Sequence, residues 1–168
     1  MIQAFDAVTL VRPAVMFGSD DAFLTRMVKL IRTLPVYPMF GRGQTRLQPV
    51  YVDDVAEAIA RVLDRSAGAD RPCYELGGPH IYTYRELLQS IAREMGTRVR
   101  TAPMPFAAWQ ALAGVAELLP STPLTRNQVA LIKHDNIASD DLPGLNELSV
   151  TPTVVEAIVL QIVGGRPG

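Results

Sequence analysis

The chain has 168 residues, 48% hydrophobic and 20% charged, an ordinary globular composition that excludes a disordered or collagen-like polymer. Sixteen Lys and Arg against seventeen Asp and Glu leave a net charge of -1, so the strongly basic footprint of a nucleic-acid binder is missing. One cysteine, Cys73, excludes an internal disulfide and suits a reducing compartment.

Residues 7–11 form a short apolar run with β-branched members and read as a buried strand, which Arg12-Pro13 closes. Residues 14–17 continue extended to Gly18. Ser19, Asp20 and Asp21 are N-cap candidates for a helix whose apolar positions are Leu24, Met27, Val28, Ile31 and Leu34, ended by Pro35. Residues 35–48 carry Pro35, Pro38, Gly41 and Gly43 and read as a long surface loop. Residues 49–52 are a strand. Asp53 or Asp54, with Glu57 in capping-box spacing, starts a helix with Val52, Val55, Ala56, Ile59 and Leu63 as its buried stripe. Residues 73–76 are a strand, broken by Gly77-Gly78-Pro79. Thr83 and Glu86 form a second capping box, before a helix that Gly96 stops. A strand over 98–101, a helix over 106–119 and a shorter helix marked by Thr125 and Gln128 follow. Thr151-Pro152 starts a last helix, which Gly164-Gly165 stops. Strands alternating with helices predict an α/β fold with parallel pairing. About three strands make a thin sheet for that class. The chain is long enough for one domain at roughly 100–200 residues each.

The longest apolar stretch, 104–119, contains Gln110 and Glu117 and falls short of the roughly 20 residues of a spanning helix. No basic segment followed by an apolar core opens the chain, so no targeting segment is expected.

Several chemistries can be weighed residue by residue. A dinucleotide fingerprint needs three spaced glycines between a strand and a helix, so that backbone N–H groups reach the pyrophosphate at the helix start. Gly41-Arg42-Gly43-Gln44-Thr45-Arg46 has Arg at the third position and leads into a strand, which favours a plain loop. A tyrosine base needs Lys four residues on, so that the ammonium lowers the phenol pKa. Lys29 and Lys133 instead follow Thr25 and Val129 at that distance, so the pair is absent. His80 and His134 stand apart with no Cys or His partner, which argues against a metal site. The acid pairs Asp20/Asp21 and Asp53/Asp54 sit at helix starts, where capping accounts for them. Arg42 and Arg46 are the best ligand candidates, because a guanidinium fork suits phosphate or carboxylate. The bland alternative is a solvated loop. Arg12, at the end of a buried strand, is a third candidate, since ligands in open α/β sheets bind beyond strand carboxyl ends.

Two runs, Val11-Arg12-Pro13-Ala14-Val15-Met16-Phe17-Gly18 and Gln48-Pro49-Val50-Tyr51-Val52-Asp53-Asp54-Val55-Ala56, resemble the extended short-chain dehydrogenases. With Gly18-Ser19-Asp20-Asp21, Leu124-Thr125-Arg126-Asn127-Gln128-Val129 and Leu142-Pro143-Gly144-Leu145, the chain is similar to one branch of them. That branch comprises NAD(P)-dependent epimerase/dehydratase-like proteins related to the nucleotide-binding accessory subunit of mitochondrial complex I.

The resemblance implies the C-terminal half of a longer protein. Residues 1–65 would supply the last strands and helices of a Rossmann-like parallel sheet, and 66–168 a small, mainly helical substrate-side lobe. Pro13 and Ala14 would line the nicotinamide side of a pocket. Arg46, Arg42, Arg12 and Gln48 would face an anionic or sugar-like substrate. Arg46 stands one position earlier than the family's usual Arg, and Tyr51 stands where His is common; both departures weaken a nucleotide-sugar assignment. NAD or NADP would be the cofactor of full-length relatives, with none bound tightly by this chain alone. The implied reaction class is hydride transfer at a sugar or similar hydroxyl. The rival reading is a structural or assembly subunit that binds a nucleotide without turnover. A module resting on a membrane through the 104–119 helix is a third. Self-association through the sheet edge of residues 7–11, and a location in the cytoplasm or at the periphery of the inner membrane, complete the expectations.

Overall fold

The computed structural model describes residues 8–19, 22–64, 73–116 and 126–164. Among them the chain is a mixed α/β fold in which short strands join in pairs, three parallel and one antiparallel. Strand β1 (Leu10–Pro13) and strand β2 (Met16–Phe17) precede helix α1 (Ala22–Thr33), whose Leu24, Met27, Val28 and Ile31 are buried as their spacing predicts. Strands β3 (Tyr37–Phe40), β4 (Arg46–Leu47) and β5 (Val50–Tyr51) lead into helix α2 (Val52–Asp64). Strands β6 (Cys73–Leu76) and β7 (Tyr82–Thr83) precede helix α3 (Tyr84–Glu94). Strand β8 (Thr101–Met104), helices α4 (Phe106–Ala116) and α5 (Arg126–Leu131), a 3-10 turn (Asn146–Leu148) and helix α6 (Val155–Gly164) complete the order.

β1 runs parallel to β6 with Leu10 opposite Cys73 and Pro13 opposite Leu76. β2 pairs with β5, and β3 with β8, also in parallel. β4 and β7 are antiparallel, with Arg46 opposite Thr83. The expected strand at 7–11 is thus displaced to 10–13; Met1–Ala7 lie outside the described residues, as do Asp20, Asp21 and Thr125. Strands β3 and β4 replace much of the expected loop. Pro38 in β3 and Pro103 in β8 sit in a two-stranded pair, where a missing N–H is tolerated at an outer edge. The strand expected over 98–101 begins only at Thr101.

The Thr83–Glu86 capping box forms as predicted. The Glu86 backbone N–H donates to Thr83 Oγ1 at 3.2 Å and the Thr83 backbone N–H to Glu86 Oε2 at 2.7 Å. Gly96 takes a φ of +65° past the helix end, a conformation that costs glycine little. The cap expected from Asp53 or Asp54 does not form that way. The helix starts one residue earlier, at Val52, and the buried Asp54 carboxylate accepts from the Thr153 backbone N–H at 2.6 Å and from its hydroxyl at 3.0 Å. This holds Thr153 outside helix α6, which therefore begins at Val155 and not beside Pro152. Glu57 pairs with Arg61 instead of closing a capping box. Val52, Ala56, Ile59 and Leu63, expected inward, are exposed, because α2 packs on β5 and the 3-10 turn along one side only.

Two apolar clusters result. The larger joins α1, β3, α3, α4 and α6 through residues such as Leu24, Met39, Leu88, Trp109 and Val159. The smaller unites Val50, Val55, Tyr74, Leu76, Leu145 and Leu148 beneath the β1–β6 pair.

Candidate functional site

The carboxyl ends of β1 and β6 lie side by side, and three further segments converge on them. Ala14 donates its backbone N–H to the Leu76 carbonyl at 2.9 Å, and Val50 donates to the Val15 carbonyl at 3.0 Å. The Val15 N–H is taken by Asn136 Oδ1 at 2.7 Å. The Asn136 backbone also pairs with the β4 end, donating to the Arg46 carbonyl at 2.8 Å and accepting from Gln48 N–H at 2.9 Å. Asn136 thus joins the chain after β1 to the chain after β4.

Gln48 extends the same seam. Its Nε2 donates to the Gly78 carbonyl at 2.9 Å and its Oε1 accepts from the Ala138 N–H at 2.9 Å. Gly78 has to be glycine here: a Cβ would stand 1.7 Å from the Pro49 carbonyl oxygen. An open cleft of about 300 Å³ borders this seam, with Gln48, Glu75, Gly78, Ser139 and Leu142 in its wall. A second, of about 390 Å³, lies against Phe17, Gly18, Ser19, Tyr51 and Asp53.

Of the residues expected to bind ligand, Arg46 and Gln48 meet at Asn136, while Pro13 and Ala14 lie beside Leu76, just before the Val15 that Asn136 holds. Arg46 donates from its backbone N–H to Asp135 Oδ1 and from Nε to Asp135 Oδ2, both at 2.8 Å. These bonds hold the Asp135 carboxyl below its ordinary range. Both side chains are about half exposed, so the pair orients the guanidinium more than it stabilises the fold. Arg12 reaches across to Glu75 on β6 at 2.9 Å, while Glu75 also accepts from the Ser139 N–H at 2.8 Å. Arg42 is exposed in the turn after β3, where its carbonyl accepts from Arg85 Nη2 at 3.1 Å. It does not join the Asn136 seam. Asn136 and Asp135 were not legible as site residues; a polar run between two helical segments carries no signal beyond a loop.

Phenols with displaced titration move upward, away from what a general base needs. A hydrogen bond to Asp53, then burial and the charges of Asp53 and Asp54, push Tyr51 up to about 12. Burial raises Tyr37 and Tyr84, whose hydroxyls meet at 3.0 Å. Burial and the neighbouring Glu156 carboxylate raise Tyr82. No group of His, Cys, Asp and Glu among the described residues could hold a metal ion.

Among the described residues, the Gly41–Gly43 turn does not fit a pyrophosphate cradle. Gly41 and Gly43 lead into β4, not into a helix, and Gly43 N–H is spent on the Phe40 carbonyl at 2.9 Å. The Ala14 and Val15 N–H groups are likewise engaged within the chain.

No family model matches the chain. Among curated proteins it is 29% identical over 161 residues to subunit 9 of the NADH dehydrogenase (ubiquinone) 1 alpha subcomplex of Arabidopsis thaliana, covering 90% of this chain and 40% of that protein. The same subunit of Rattus norvegicus is 29% identical, with 95% and 42% covered. The 40 kDa subunit of NADH-ubiquinone oxidoreductase of Neurospora crassa is 28% identical, with 88% and 38% covered. The chain therefore spans about two fifths of the length of the curated relatives it matches. Among solved structures, a UDP-glucose 4-epimerase of Thermotoga maritima with UDP-glucose superposes with a TM-score of 0.59 at 16% identity, over 93% of this chain and 44% of the other. A dTDP-glucose 4,6-dehydratase of Bacillus anthracis in complex with NAD gives 0.60 at 16% identity, over 94% and 43%. The fold is the Rossmann-like epimerase/dehydratase fold in part, as the sequence runs implied, and the homologues are complex I subunits of the resembled branch.

Proposed function

We propose that this chain is the substrate-side portion of a nucleotide-binding, epimerase/dehydratase-like module that serves a respiratory NADH:ubiquinone oxidoreductase as a structural or assembly part. The observation that carries it is the Asn136 seam: it fixes the backbone after β1 and the Arg46–Gln48 strand end in one frame, with no displaced phenol moving toward a base. The named relatives support the respiratory setting. In this reading Pro13 and Ala14 form the nicotinamide edge, and Arg46, with Gln48 and Arg12, meets an anionic or sugar-like group, while Arg42 stands off this seam in the turn after β3. Arg46 binds Asp135 through Nε, and no partner for its Nη groups is seen among the described residues, so the fork can take an anion. Residues 1–65 supply the last Rossmann-like strands and helices, with the charged residues that face the substrate, and 66–168 the substrate-side lobe, except that β6 completes the sheet of β1. The module works in the cytoplasm or at the periphery of the inner membrane, and this chain binds no NAD(P)H tightly by itself.

The second reading, a working oxidoreductase or epimerase, is favoured by the folds of the sugar-nucleotide enzymes. Tagging the protein in its source cells and resolving detergent extracts on native gels separates the two. Migration with NADH:ubiquinone oxidoreductase supports the structural role. Free migration, together with NAD(P)-linked turnover of a nucleotide sugar, overturns it.

A further inference from the structure

Helix α2 is apolar over about twice the arc that the fold covers. At about 100° per residue, its buried side runs through Val55, Ala58 and Val62, which pack on the smaller apolar cluster. Val52, Ala56, Ile59 and Leu63 form a second stripe directly beside that arc, and all four are exposed. Asp53, Glu57 and Asp64 project from the remaining side. Arg61 is turned away, donating to the Leu148 and Ser149 carbonyls at 2.8 Å each.

The stripe is shaped for a copy of itself. Its steps of four, three and four residues are the a/d rhythm of a two-helix seam. Leu63 stands at one end and is 78% exposed, the most of any large apolar residue among those described. Val52 stands at the other end, where it lines the second cleft, of about 390 Å³, with Met16, Phe17 and Tyr51. A knob and a hole thus lie on one face, about 16 Å apart along the helix at 1.5 Å per residue. Between them a small residue, Ala56, is followed by a large one, Ile59. A two-fold axis between positions 57 and 58 sets Leu63 of one copy against Val52 of the other, and Ile59 against Ala56, so that each large residue meets a smaller one.

We propose that the outer stripe of α2 pairs antiparallel with the same stripe of a second copy of this chain, each Leu63 filling the cleft beside the other's Val52. The pairing buries no charge. The nearest charged groups, Asp53 and Asp64, have one sign, so salt screens a repulsion at each end and association holds or tightens as salt rises. The seam is short. Its area falls at the low end of specific interfaces, and the dimer exchanges with monomer at micromolar concentrations. It uses α2 and not the sheet edge of residues 7–11, and it stands apart from the respiratory and nucleotide reading, since it needs neither a bound nucleotide nor another subunit.

Sedimentation equilibrium of the full chain, from low micromolar to submillimolar concentration, tests it. The expected result is a monomer–dimer equilibrium that added salt does not weaken. The double variant Ile59→Glu/Leu63→Glu, at exposed sites that tolerate Glu in a helix, is expected to raise the dissociation constant about ten-fold or more with unchanged far-ultraviolet circular dichroism. The register has its own test. Val52→Lys/Leu63→Glu places opposite charges across the two-fold axis, and at low salt it is expected to associate more tightly than Leu63→Glu alone. A chain that stays monomeric throughout overturns the proposal. So does a dimer that Ile59→Glu/Leu63→Glu leaves intact, which assigns association to another surface, and so does a Val52→Lys/Leu63→Glu chain that associates no more tightly than Leu63→Glu.

Discussion

Asn136 and Val15 lie 121 positions apart in the chain, yet the Asn136 side-chain oxygen accepts the Val15 backbone N–H at 2.7 Å. This bond fixes the first turn after β1 against the segment that also carries the Arg46 partner, Asp135. Asn136→Ala removes the acceptor. Because the site is exposed, water compensates in part, and a loss of about 0.5–1.5 kcal/mol is expected in urea unfolding. Hydrogen exchange at the Val15 amide is expected to rise with it. A Val15 amide that exchanges as slowly as before would show that the turn is held by the strands alone.

Gly78→Ala is expected to be costlier. The new Cβ would collide with the Pro49 backbone carbonyl at 1.7 Å, and neither β5 nor β6 can retreat without breaking its pairing. Overpacking of this kind costs about 1–3 kcal/mol. A thermal midpoint within error of the parent's would contradict the close approach.

The buried Asp54 carboxylate links α2 to the start of α6 through Thr153. Hydrogen bonds to a charged group contribute about 1.5–3 kcal/mol. Asp54→Ala is expected to lose that amount and to strip protection from the Thr153 amide. A surface-like effect below about 0.5 kcal/mol would return Asp54 to a local helix-start role.

Glu156 gives the pH dependence. Burial pushes its carboxyl up, but hydrogen bonds from Ser90 at 2.5 Å and Tyr82 at 3.0 Å, with the charge of His80, outweigh burial and leave it below its ordinary value of 4.5. A carboxylate with a depressed folded pKa contributes stability above its unfolded value, and that contribution disappears as the pH falls through the lower folded value. Ser90→Ala is therefore expected to destabilise the chain at pH 7 and to narrow the gap to the parent as the pH drops below 4.5. A gap that stays constant across that range would remove Glu156 from the account.

What could be read from the sequence follows from how local the signals are. The Thr83–Glu86 box, the Gly96 stop and the inward face of α1 rest on spacings of three or four residues, and the structure shows them. β3 is hidden and β8 is read three residues too early because each contains a proline, which the sequence presents as a break and a two-stranded edge accepts. Asp54 was read as a cap because its partner, Thr153, is 99 positions away. The same distance hides Asn136. Arg46 and Gln48 were legible as candidates through their loop and the family runs, but the seam that orients them is a tertiary fact.

The account turns on the claim that this chain holds one side of a nucleotide site and not the cradle for the pyrophosphate. Calorimetric titration of the purified chain with NADH and with NADPH tests it most directly. No saturable heat through the micromolar range is predicted for either nucleotide, because Gly43, Ala14 and Val15 have already spent their N–H groups within the chain. A stoichiometric complex with a low-micromolar Kd would contradict the account.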